Sequence, residues 1–351
     1  MKSKKIIDLF SGIGGFSLGF EREGFESVLA IDNWKDAVET YNMNMKNQVA
    51  TTRAIESFSN DELIEILKKH KLIDGIIGGP PCQGFSMVGT RKRSDNRNNL
   101  YLHFVRFVEI IKPNFFILEN VKGLISMSGG YFKHDIVERF SKIGYNVNFS
   151  VLKASDYGLP QNRERVFFVG LLSEKFEDLF FEFPEKTGFR LGTKDALNDL
   201  PLLDNNPSNR KYRFDPENDF QREMRKDNLG EIKNHDITNH TEKTLEIISQ
   251  IPDGGNIKDI DAKYYKVRNY NSAFKRMNSM EPSITIDCGH RNYFHFSENR
   301  VPTARESARI QTFPDNFEFY GSKTSQYTQI GNAVPPMLSN KIAKKIKELC
   351  Y

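Results

Sequence analysis

Two glycines and two prolines in succession stop a short apolar run, and the stretch Gly78-Gly79-Pro80-Pro81-Cys82-Gln83-Gly84-Phe85-Ser86 carries a cysteine into a polar loop. The preceding Ile73-Asp74-Gly75-Ile76-Ile77 predicts a short buried strand. Cys82 is thereby placed at the carboxyl end of a strand, which is where open α/β sheets hold their ligands. Burial as inert core is the ordinary fate of a free cysteine. The glycine and proline setting argues instead for a thiol presented to chemistry.

Further strand-like runs, at 5–10, 27–32, 115–119, 145–152 and 165–171, alternate with amphipathic stretches at 16–22, 61–70 and 100–111. The 61–70 stretch has Asn60 ahead of it as a cap, and the 100–111 stretch stops before Lys112-Pro113. This alternation predicts an α/β fold with a doubly wound sheet. Beyond Leu172 the texture turns polar and Pro-punctuated, as in Asp204-Asn205-Asn206-Pro207 and Asp253-Gly254-Gly255-Asn256. A first domain over 1–182, completed by 322–351 through a helix at 336–349, and a smaller irregular domain over 183–321 are the expected division.

The 351 residues, 38% hydrophobic and 27% charged, suffice for a large core without covalent staples. Cys82, Cys288 and Cys350 form neither a disulfide framework nor paired zinc spacing, and no metal is expected. No targeting segment or membrane-length apolar run stands out, so a cytoplasmic protein is expected. The net charge of +4 permits a polyanionic partner without requiring one.

Lys5-Ile6-Ile7-Asp8-Leu9-Phe10 leads into Ser11-Gly12-Ile13-Gly14-Gly15 and then a helix-like segment. A strand, glycine turn and helix in that order bring backbone N–H groups against a polar ligand. Asp32 closes the next strand at the distance where an acidic side chain meets a ribose hydroxyl. Ser17 stands where a dinucleotide fingerprint would have its third glycine, which favours a different adenosine-containing cofactor over nicotinamide.

Two more strand ends are candidates to meet Cys82. Glu119, ending an apolar strand, is expected to have a raised pKa and to carry a proton. Arg163 and Arg165 straddle Glu164 and, as alternate strand residues, are expected to point the same way and hold an anionic or carbonyl-bearing substrate. No histidine sits in a signature suited to a Cys/His hydrolase. The set favours addition of a thiol to a heterocycle.

In order along the chain stand Asp8-Leu9-Phe10-Ser11-Gly12-Ile13-Gly14-Gly15, Gly79-Pro80-Pro81-Cys82-Gln83-Gly84-Phe85-Ser86, Glu119-Asn120-Val121, Gln161-Asn162-Arg163-Glu164-Arg165, the block from Arg305 to Asp315, and Gln329-Ile330-Gly331-Asn332-Ala333-Val334-Pro335-Pro336. This set resembles the DNA (cytosine-5) methyltransferases of bacterial restriction-modification systems over nearly the whole chain, apart from about 173–280, where that family keeps its variable target-recognition region. The resemblance implies a Rossmann-like fold with a mixed sheet and a second, target-recognition domain. It implies S-adenosylmethionine as cofactor, with Phe10 stacking on adenine, Ser11, Gly12, Ile13, Gly14 and Gly15 near the methionine end, Asp32 on the ribose, and Pro80 and Asn332 lining the site. It implies that Cys82 adds to carbon 6 of a cytosine flipped out of the duplex, as a base inside the stack exposes neither ring face. Glu119 would then act on ring nitrogen 3, and Arg165, supported by Arg163, on the carbonyl oxygen.

Ser86, Arg91, Arg93 and Arg97, with Lys92, are candidate contacts to double-stranded DNA in a segment expected to close over it. In the second domain 209–213, 266–270, Lys275 and Arg276 have the residue types of a groove reader. A monomer acting beside a separate cognate endonuclease is the corresponding expectation. Two positions depart from the family pattern: Asp32 replaces a usual glutamate, and Ala54-Ile55 stands where an Asp-Ile pair contacts adenine. The alternatives are an RNA cytosine-5 methyltransferase and a DNA-binding module without turnover, with a Rossmann dehydrogenase more distant. The first is disfavoured by Gly84-Phe85-Ser86, and the second by retention of Cys82, Glu119, Arg163 and Arg165 together.

Overall fold

The structure, a computed structural model, describes residues 3–81, 100–203, 206–228, 230–265, 274–289 and 293–351. Cys82, Ser86, Arg91, Arg93 and Arg97 therefore lie outside the described residues, as do 266–270. The chain forms two compact units: Met1–Lys153 with Glu164–Glu185 and Pro336–Tyr351, and Ala154–Arg163 with Lys186–Pro335.

The first unit is built on a seven-stranded mixed sheet of β1 (Lys4–Leu9), β2 (Phe25–Asp32), β3 (Ala50–Thr52), β4 (Gly75–Gly78), β5 (Phe115–Val121), β6 (Tyr145–Lys153) and β7 (Glu164–Leu172). The strand order is β3-β2-β1-β4-β5-β7-β6. β7 alone runs against its neighbours, pairing antiparallel with both β5 and β6, while β1 to β5 pair in parallel. The order reverses between β1 and β4, so the crevice at a doubly wound sheet's switch point falls beside Leu9 and Gly78. β4 is buried along its whole length, as its apolar sequence requires of a strand covered on both faces.

Successive residues of β5 serve opposite faces. Phe116 stacks on Phe140 with ring centroids 3.8 Å apart. On that face pack the helices α1 (Asn60–His70), α2 (Leu100–Ile111) and α3 (Tyr131–Lys142), which supply Leu63, Phe104, Phe107, Val108, Ile136 and Phe140 to one core. Phe115 instead meets Phe20 and Phe25 on the side of the helices Gly15–Glu21 and Pro336–Cys350. The final helix packs on the helix Gly15–Glu21: Ser339 Oγ donates to Phe16 O at 2.6 Å and Asn340 Nδ2 to Gly19 O at 3.2 Å.

Two expectations need correction, and one strand lies beyond them. The cap of the helix Asn60–His70 is Ser59, not Asn60: its hydroxyl accepts from Glu62 N while Glu62 Oε2 accepts from Ser59 N at 2.8 Å. β3 was not anticipated, being three half-exposed residues at the sheet edge. Segments 154–163 and 322–335, expected in the first domain, belong to the second unit. Hydrogen bonds fasten 160–162 alongside Ser283, from Ser283 N to Pro160 O (2.9 Å) and from Asn162 N to Ser283 O (2.8 Å). Gly331 lies so close to Asp287 and Cys288 that a Cβ there would come within 2.6 Å of their backbone.

Among its described residues the second unit has little regular sheet, a short pair between Lys275–Arg276 and Tyr293–Phe294. Its centre is ionic. Every residue of the helix Ala304–Ile310 is buried; Arg309 bonds Asp199 at 2.7 Å and also Asp315, and Arg300 grips Glu306 through two 2.8 Å bonds. Arg276 is also part of this frame, donating to the carbonyls of Ile248, Ile251, His295 and Glu298. That corrects its reading as a base-edge reader.

Candidate active site

β1 ends into a turn that only unusual backbone can make. Phe10 has φ 58°, followed by Gly12 at 52° and Gly14 at 84°; a side chain at Gly14 would run into the Tyr41 ring at 2.7 Å. Left-handed backbone at a bulky residue such as Phe10 is strained, and such strain gathers at ligand sites. Asp32, at the end of β2, organises the turn: Oδ2 accepts from Gly12 N at 2.8 Å and Oδ1 from Trp34 N at 2.9 Å. Burial pushes its carboxyl above the ordinary Asp range, against the pull of the amide donors of Trp34, Gly12 and Asn33. A carboxylate offers about four lone-pair sites, so these amides leave acceptor capacity for a vicinal diol.

The adjoining side chains fit an adenosine-type cofactor. Ser11 Oγ is buried without a hydrogen-bond partner, Ile13 is buried, and Phe10 is half-buried at the edge of the core. A buried hydroxyl with no partner is a cost that a polar ligand relieves.

Beneath the turn, Asp8 is fully buried. Its Oδ2 accepts from Ser17 Oγ at 2.6 Å, Tyr41 donates to Ser17 Oγ at 3.1 Å, and Oδ1 has no partner. Burial raises the Asp8 carboxyl to about 7, with Ser17 opposing the rise. Because the folded value lies above the unfolded one, the stability tied to its neutral form is complete below pH 4 and lost as pH rises towards 7. Asp8→Asn stays neutral throughout. Its melting temperature relative to wild type is therefore expected to rise by about 3–6 °C between pH 5 and pH 8 by calorimetry, and a pH-independent difference would contradict this.

On the other side of the switch point, Gly78 abuts β1 so tightly that a Cβ would lie 2.1 Å from Leu9 O. Gly79 faces Glu119, whose Oε2 would be 2.8 Å from a Cβ there. Pro80 is buried and its carbonyl accepts from Asn120 Nδ2 at 2.8 Å. The peptide leading to Cys82 is thus tied to the end of β5, directly beside the Glu119 carboxyl. Asn120 was visible in the sequence block but its anchoring part was not assigned there.

Glu119 is buried and does not stand alone: Arg165 Nε lies 3.0 Å from its Oε1, across the β5–β7 pairing. The sequence reading of Glu119 had no partner for its carboxyl. The two arginines also separate. β7 starts at Glu164, so Arg163 precedes the strand and does not share a face with Arg165. Arg163 belongs to the second unit, is buried, and donates to Ile286 O at 3.2 Å and Gly331 O at 2.8 Å. Asn332, in the same unit, is exposed and accepts from the Cys288 thiol at 3.0 Å. Ala54 presents a methyl group and Ile55 is buried in the core, so neither supplies a side-chain acceptor.

A family model for C-5 cytosine-specific DNA methylase matches residues 4–348. The chain belongs to that family. It is 38% identical over 368 residues to the Type II methyltransferase M.DdeI of Desulfomicrobium norvegicum, covering 97% of this chain and 88% of the relative. It is 36% identical to M1.HphI of Haemophilus parahaemolyticus over 349 residues, covering 98% and 86%. A crystal structure from E. coli, assigned as a DNA modification methyltransferase encoded within a prophage, superposes with a TM-score of 0.83 at 29% identity, covering 99% of both chains.

The protein is therefore a DNA (cytosine-5) methyltransferase, which moves a methyl group from S-adenosylmethionine to carbon 5 of cytosine in DNA. When bound, that cofactor supplies an electrophilic methyl on sulfur. The strand ends of the first unit carry the shaped turn, the partly buried carboxyl group of Asp32 and the Glu119–Arg165 pair. Among the described residues, no helix is long and apolar enough to cross a membrane. His295, Glu298 and Glu306 come together, but Arg300 occupies both carboxylates, and burial lowers His295 to about 3. That cluster is an ion network of the fold.

Proposed function

We propose that this methyltransferase modifies one cytosine within a specific double-stranded DNA sequence and so protects host DNA from a separately acting endonuclease, working as a cytoplasmic monomer. The pairing of Glu119 with Arg165 beside the Gly79-Pro80 peptide carries the reading. It supports a site where a cytosine ring extruded from the helix is held on its polar edge while Cys82, two residues beyond Pro80, approaches a ring face. In this reading the Cys82 thiolate adds to carbon 6, and carbon 5 gains the nucleophilic character that methyl transfer requires. The Glu119 carboxyl acts at nitrogen 3 and the Arg165 guanidinium at the carbonyl oxygen. Loss of the carbon 5 proton to water restores the carbon 5–carbon 6 double bond and expels Cys82 as a thiolate, which completes the cycle.

Phe10, the 11–15 turn, Asp32, Pro80 and Asn332 are the proposed contacts to S-adenosylmethionine. Arg163 is proposed as a positioning residue, since its side chain is committed to backbone carbonyls. Ser86, Arg91, Arg93 and Arg97 are proposed to meet DNA, the arginines through phosphates, and the second unit to read the target sequence. The Type II names of the relatives support the protective role.

Expression in a methylation-deficient host followed by bisulfite sequencing of a resident plasmid tests all of this together. Full protection of one cytosine within a single recurring sequence is the expected result. Scattered protection would refute sequence-specific modification, and absent protection of the plasmid would refute DNA as the substrate.

A further inference from the structure

The helix Lys323–Asn332 ends at the residue proposed to meet the cofactor, and its last carbonyls are served in an unusual way. The final four carbonyls of a helix have no donors within it and need partners from outside. Here Gln311 Nε2 donates to Ile330 O at 2.7 Å and Ala333 O at 3.2 Å, and Arg163 donates to Gly331 O at 2.8 Å. Gln311 Oε1 in turn accepts from Gln161 Nε2 at 2.6 Å, and Gln161 Oε1 accepts from Ile286 N at 2.8 Å. Gln161, Arg163 and Gln311 are all buried. The Asn332 side chain, by contrast, is exposed, with its Oδ1 engaged by the Cys288 thiol.

We propose that Gln311 is a positioning residue for S-adenosylmethionine: it fixes the backbone on either side of Asn332, while Cys288 sets the rotation of the Asn332 amide. A buried amide with both ends satisfied is costly to disturb, so this mount holds an exposed side chain in one place. Orienting the carbonyl oxygen towards Cys288 turns the amide N–H groups towards whatever Asn332 binds. The proposal rests on Asn332 being a cofactor contact.

The test uses the full chain, tritiated S-adenosylmethionine and unmethylated plasmid, with KM measured separately for the two substrates. Gln311→Met keeps the volume and removes the donors. It is expected to raise KM for S-adenosylmethionine about tenfold while KM for DNA stays within about twofold. Cys288→Ala, at a partly exposed position that serves if the first variant does not fold, is expected to raise the same KM about threefold, and Cys288→Ser to restore it. The double variant of Gln311→Met with Asn332→Ala should be no worse than Asn332→Ala alone, as coupled residues are not additive. An unchanged cofactor KM in Gln311→Met, or a parallel rise for DNA, would overturn the positioning role. If Asn332→Ala itself leaves the cofactor KM unchanged, the assignment of Asn332 falls and the proposal falls with it.

Discussion

Cys82→Ala is expected to lose methyl transfer by a factor on the order of 10⁴ or more, since removal of a covalent nucleophile costs as much as removal of the whole group acting with it. Carbon 5 of cytosine is a poor nucleophile until carbon 6 carries a bond, which an alanine side chain cannot supply. DNA retention in a filter or gel-shift assay should survive, because extrusion of the base draws on binding contacts that the substitution leaves in place. A duplex carrying 5-fluorocytosine at the target should form a stable adduct with wild type, because the fluorine cannot leave as a proton does. Peptide mapping should put that adduct at position 82. A crosslink at another residue, or undiminished turnover in the alanine variant, would remove the nucleophile from Cys82.

The second large effect belongs to Glu119. Glu119→Gln is expected to lower kcat by about 10²–10³, within the range typical of a positioned acid or base, with KM for DNA changed far less. The amide keeps the shape but can neither deliver nor share a proton at ring nitrogen 3, and it leaves Arg165, 3.0 Å away in wild type, without its counter-charge. Arg165 is mostly shielded from solvent, and a buried charge stripped of its partner is destabilising. Melting temperature should therefore be recorded beside kcat. A fall in kcat matched by a rise in KM for DNA would mean that Glu119 binds rather than activates the base.

These expectations rest on different depths of legibility. The strand runs at 5–10, 27–32, 73–78 and 115–119 were readable because a parallel sheet covered on both faces demands unbroken apolar sequence. The six ordered blocks made the chemistry legible for the same kind of reason: a glycine turn, a strand-end thiol and a strand-end carboxyl each impose local backbone demands that few residues meet. β3 was not readable, since three half-exposed edge residues carry no periodic signal.

The partners of polar side chains were another matter. Nothing along the chain distinguishes Arg163 from Arg165, two positions apart, yet one is buried against Ile286 and Gly331 and the other faces Glu119. Arg276 reads as a surface cation and is a buried hub for four carbonyls. Gln161 and Gln311 are separated by 150 residues and share one hydrogen bond.

By itself, the sequence determined the class of fold, the strand ends that carry chemistry and the family, because those depend on patterns of burial and backbone conformation written within a few residues of one another. Only the tertiary structure decided which charge meets which, where segments 154–163 and 322–335 belong, and how Asn332 is mounted. Hydrogen bonds and ion pairs are satisfied by whatever the fold brings within about 3 Å, and that proximity has no trace in local sequence.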